Sequence, residues 1–142
     1  SYLISARTNE DQPMQLPSEY YSNMNYGTIV YKKSALAFNY LMNYLGEDEF
    51  NRCMAIYFEK WKFKHPTPAD LQSVFETTSG KNLSWFFDDL VTTRGKLDYA
   101  TGGISKTDTG YKLKVKNRGD IPGPFSVDVV RKGLTVSNTW YD

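Results

Sequence analysis

The chain has 142 residues, 40% of them hydrophobic and 23% charged, the balance of a globular protein of one ordinary domain or two small ones and not of a disordered tract. Seventeen basic and sixteen acidic residues leave a formal charge of +1, and neither sign gathers into a long block, so no nucleic-acid partner or charged membrane surface is indicated. No apolar run approaches the roughly 20 residues of a membrane span, and one cysteine with one histidine can form neither an internal disulfide nor an ordinary closed zinc site.

Residues 1–25 hold Pro13 and Pro17, several Asn and Ser and no sustained apolar period, which predicts an extended lead-in. From about Val30 the pattern turns helical: Ala35, Phe38, Leu41, Met42 and Leu45 recur on one face and Gly46 stands at a stop. Glu47, Asp48 and Glu49 place negative charge at the start of a second helix, where the dipole favours it. Phe50, Cys53, Met54, Tyr57, Phe58 and Trp61 then follow at helical spacing. Lys60, Lys62 and Lys64 suit the C-terminal end of that helix, and His65-Pro66 breaks it. Thr67-Pro68-Ala69-Asp70 reads as an N-cap with proline at the first helical position, opening a third helix through Leu71, Val74 and Phe75 to Ser79-Gly80. A short fourth helix from Leu83 to Val91 carries Trp85, Phe86 and Phe87, too apolar a cluster to face water.

Beyond Gly95 the period shifts to two. Tyr111, Leu113 and Val115 alternate with Lys112, Lys114 and Lys116, Phe125, Val127 and Val129 alternate with Ser126 and Asp128, and a last apolar stretch runs from Leu134 to Trp140. Turn residues at 108–110, 117–120 and 131–133 separate these runs, predicting an antiparallel meander of three or four strands. Such a sheet is marginal unless something covers its apolar face, so the chain reads as truncated. Self-association through exposed apolar surface or sheet edges is expected of it.

Three residue types invite chemical readings that the pattern does not favour. His65 lies between a lysine and a proline at a helix end, where a solvated cap is the better reading. Cys53 sits on the apolar stripe of the second helix, which suits core packing over nucleophilic attack. Adjacent Asp88 and Asp89 point about 100° apart on a helix and form no acid–base pair.

The segment Tyr26-Gly27-Thr28-Ile29-Val30-Tyr31-Lys32-Lys33-Ser34-Ala35-Leu36, running into a helix that ends at Leu45-Gly46, resembles the aminopeptidase N family of gluzincin metallopeptidases just after their zinc-binding helices. There a tyrosine, one intervening residue and a lysine open a helix. The resemblance continues through Gly46-Glu47-Asp48-Glu49-Phe50, Tyr57 to Phe63, Thr67 to Leu71 and Ser79 to Phe87. It implies an α+β chain: a helical part, residues 26–95, from the end of a thermolysin-like catalytic domain, followed by an incomplete β-sandwich-like module over 96–142. It implies a parent protein that binds one zinc ion and hydrolyses peptide or protein substrates as an aminopeptidase, with metal-activated water attacking the carbonyl. Tyr31 would match the tyrosine whose hydroxyl stabilises the oxyanion of the transition state.

By the same resemblance, Lys33 matches the family lysine and is expected to hold local structure or pair with an acid. Tyr26, five residues before Tyr31, could line the same groove, with packing as its other role. The chain departs from the family pattern at Ser34, where a glycine is usual. It also lacks HExxH, which needs two histidines, and so carries no zinc ligand set. By itself it is therefore expected to be inactive and to hold no tight zinc; one zinc per chain on metal analysis, or cleavage of an aminoacyl reporter, would overturn that. The rival reading is a non-catalytic binding or scaffold module from a peptidase relative that has lost its zinc site. Nothing in the residues selects a compartment, and periplasmic, secreted and cytoplasmic locations all stay open.

Overall fold

A computed structural model of the chain describes residues 2–8 and 10–142. Two compact units emerge, Ser1–Arg94 and Gly95–Asp142. The first is helical and the second is built of strands, which makes the chain α+β.

In the helical unit the first 25 residues are not simply extended. They contain α1 (Tyr2–Arg7), a 3-10 turn at Ser18–Tyr20 and the short α2 (Asn23–Asn25). The prolines that suggested an extended path, Pro13 and Pro17, fall between these pieces, where they interrupt no helix. Ala6 of α1 is buried, and the Ser22 hydroxyl accepts the Asn25 amide at 3.2 Å to cap α2.

The helix expected from about Val30 begins earlier and in a different form. Tyr26–Lys33 is π-helical and passes without a break into α3 (Ser34–Leu45). The Ser34 amide donates to Ile29 O, five residues back, and the Ser34 hydroxyl donates to the same carbonyl at 3.2 Å. The serine side chain thus adds a second bond to the carbonyl that closes the π segment.

Gly46 adopts φ 86° and lets α4 (Glu47–Trp61) start at once. Helix α4 ends before the lysine-rich stretch does, so that only Lys60 lies in its last turn; Phe63 takes a left-handed φ of 61°. Its apolar stripe is only partly covered: Cys53 is fully buried, whereas Phe58 is 63% exposed. Helix α5 (Pro68–Ser79) opens on a capping box in which Thr67 N donates to Asp70 Oδ2 at 2.8 Å. That bond holds the Asp70 carboxyl below its ordinary value, because ionisation strengthens it.

The fourth helix is a second π segment, Trp85–Leu90. Leu83, Trp85, Phe86, Phe87 and Leu90 are all buried, and edge-to-face rings run from Phe50 through Phe75 and Phe87 to Phe86 and Phe38. Phe75, Phe86 and Phe87 are buried and each contributes about 1.5–3 kcal/mol through burial, so this aromatic cluster is the core of the unit.

The strand unit is not one meander but two separate antiparallel hairpins, β1 (Tyr99–Thr107) with β2 (Gly110–Asn117) and β3 (Phe125–Arg131) with β4 (Leu134–Tyr141). Strand β1 is glycine-bearing and bulged between Thr101 and Gly103, so its sequence carries no regular alternation. The β3–β4 turn follows its chemistry, with positive φ at both Lys132 and Gly133.

What prevents β2 from turning straight into β3 is the segment after Asn117. Its amides fold back: Arg118 N reaches Asp98 O at 2.7 Å and Asp120 N reaches Lys96 O at 2.9 Å. Pro122 and Pro124 then bring no N–H to a ladder. Residues of both hairpins, among them Tyr99, Leu113, Phe125 and Tyr141, line one groove of about 960 Å³. The fold-back depends on Gly119, since a Cβ there would stand 2.2 Å from Lys96 O and 2.7 Å from Asp98 N. Backbone cannot swing aside as a side chain can, so Gly119→Ala is expected to destabilise the strand unit by about 1–3 kcal/mol. Thermal unfolding checks this, and an unchanged midpoint would refute the contact.

Candidate active site

The residues singled out in the sequence lie together on the first π segment. In an α-helix, side chains five residues apart point about 140° from each other. The i→i+5 bonding of a π-helix instead brings such residues alongside. Tyr26 and Tyr31 accordingly meet edge to face with ring centroids 6.3 Å apart, and Tyr21, five residues further back, meets Tyr26 at 6.2 Å.

The three rings differ in what their hydroxyls can do. Tyr21 donates to Met14 O at 2.6 Å, and burial pushes its phenol above the ordinary value; it is a structural anchor. Tyr26 is 42% and Tyr31 64% exposed, so the Tyr31 ring projects outward where a ligand can reach it. A tyrosine that served only the core would have its ring covered.

Lys33 behaves differently from its neighbours. It is 2% exposed, and its Nζ donates to Asp11 Oδ2 at 3.2 Å and to Gln12 O at 3.1 Å; Asp11 is itself 1% exposed. Asn25, also buried, donates from Nδ2 to Glu10 O at 2.8 Å and to Gln12 Oε1 at 3.0 Å. Residues 10–12 are thus fastened to both ends of the π segment. Two residues on, the Met14 and Gln15 amides donate to Val91 O at 2.9 and 3.1 Å, just after the second π segment. The strap formed by residues 10–15 therefore links the segment that carries Tyr31 to the aromatic core.

Asp11, Gln12 and Asn25 escape a reading of the sequence because the bonds that tie residues 10–12 to Asn25 and Lys33 span 13 or more positions, and nothing local marks an aspartate in a polar lead-in as buried. The only pointer is Lys33, a cation next to an apolar helical run that calls for an acid.

The other titratable groups stay apart from this site. His65 is exposed beyond the end of α4. Cys53 is sealed against Phe75 O, and burial raises its thiol. Asp88 is exposed and its side chain accepts from Gln72 at 3.4 Å. Among the described residues no group of three or more His, Cys, Asp or Glu side chains is placed to hold a metal ion. A zinc ion needs three or four converging N, S or O ligands, and the donors of the described residues do not converge in that way. Among the same residues, no helix is long and apolar enough to cross a membrane.

Comparison with curated proteins gives no match, and comparison with solved structures gives none. The model of the peptidase family M1 domain matches residues 5–90, covering the strap, both π segments and the helices between them. The chain therefore belongs to peptidase family M1, the aminopeptidase N family.

Proposed function

We propose that this chain is the tyrosine-bearing part of a zinc aminopeptidase and that Tyr31 is its catalytic residue. The observation that carries the reading is the exposed Tyr31 ring on a π-helical segment inside the matched family region. π-Helical turns are rare and concentrate at functional sites.

The chemistry asked of Tyr31 is hydrogen-bond donation. When a nucleophile adds to a peptide carbonyl, charge gathers on the carbonyl oxygen, and a phenol O–H already aimed at that oxygen stabilises the charge without reorganising. Tyr26, against the Tyr31 ring, would line the groove in which the peptide lies and limit the ring's freedom. Lys33 would hold the local structure. Zinc, in a complete peptidase of this kind, supplies an electrophile and an activated water; its ligands would come from residues other than those of this chain.

The test is Tyr31→Phe in the peptidase that carries this chain, assayed by release of an N-terminal residue. Phenylalanine keeps the ring and removes only the donor, so the chemistry should be lost while the packing stays.

A further inference from the structure

We infer that Asp11 is a positioning residue for Tyr31, acting through Lys33; this rests on the reading of Tyr31 as the catalytic group. The Asp11–Lys33 pair joins two stretches 22 residues apart in sequence, both partners almost wholly buried. An ion pair so placed adds little net stability relative to apolar residues of the same size, but it is costly to break or to shift. It therefore serves better to select one backbone arrangement than to stabilise the fold at large.

The arrangement it selects is the π segment. Lys33 is the last residue of that segment and Tyr31 stands two before it. If the segment relaxed to i→i+4 bonding, Tyr26 and Tyr31 would rotate apart by about 140°. Lys33 would also turn away from Asp11 Oδ2 and Gln12 O, leaving the buried Asp11 carboxylate without the cation that faces it. Asp11 Oδ1 already lacks a hydrogen-bond partner among the described residues, so Lys33 is the chief compensation for its charge. The buried pair thus penalises the α-helical register and holds the π register, in which the Tyr31 phenol projects beside Tyr26.

Two measurements test this, one of which needs no catalysis. In the 142-residue chain with labelled tyrosines, NMR should show a Tyr26–Tyr31 ring–ring NOE that disappears in Asp11→Asn, while the Phe75–Phe87 ring contacts of the core persist. Should Asp11→Asn fail to fold, Asp11→Asn/Lys33→Met, which leaves no buried charge, is read in the same way. Persistence of the tyrosine NOE in either folded variant would overturn the inference.

In the whole peptidase, Asp11→Asn should lower kcat toward the roughly 10²-fold that a 1 Å misplacement can cost, with KM nearly unchanged. It should add nothing in a Tyr31→Phe background. Additive losses would mean that Asp11 acts elsewhere. If Tyr31→Phe alone left turnover intact, the catalytic reading would fall, while the NOE would still decide whether Asp11 sets the register.

Discussion

Lys33→Met is expected to destabilise the helical unit by about 3–5 kcal/mol, the usual cost of removing one member of a buried ion pair. Methionine has nearly the length and volume of the lysine stem, so the loss would come from charge and not from a cavity. The variant leaves the Asp11 carboxylate 1% exposed with no cation against it, and one of its oxygens already lacks a hydrogen-bond partner among the described residues. Water cannot compensate without opening the strap over residues 10–15.

Chemical denaturation of the helical unit checks the figure. A loss below about 1 kcal/mol would place the pair with surface ion pairs and contradict its burial. Adding Asp11→Asn to Lys33→Met should recover part of the stability, since the two residues act as one unit and their effects cannot sum.

How much of this was legible beforehand differs by element. Helices α4 and α5 follow local rules: acids in the first turn of α4, a Thr-Pro-x-Asp cap at the start of α5 and Gly80 at its stop. Those signals act within a few residues, so they survive into the structure. The π character of Tyr26–Lys33 and Trp85–Leu90 does not show in the same way. A change from i→i+4 to i→i+5 bonding is imposed by packing and by distant partners, here Asp11 and the strap, and not by propensity.

The strand unit shows the same division. Alternation marked β2 and β3, but pairing was decided by where the amides of Arg118 and Asp120 go, a choice of partner across some 20 residues. The candidate site divides likewise. Tyr31, Tyr26 and Lys33 stood out through the family pattern, whereas Asp11 and Asn25 needed coordinates.

The largest expected effect on function belongs to Tyr31. Its ring is 64% exposed, so losing its hydroxyl breaks no buried network and should leave the fold unchanged. Removing one preoriented oxyanion donor costs about 10²–10³ in turnover. Because the bond forms only as charge develops, the loss should fall on kcat, with KM little altered.

The most direct test is therefore kcat for release of an N-terminal residue by the Tyr31→Phe peptidase, measured beside its thermal midpoint. We predict a fall in kcat of about 10²–10³-fold at an unchanged midpoint. Turnover equal to that of the unaltered enzyme would contradict the role given to Tyr31.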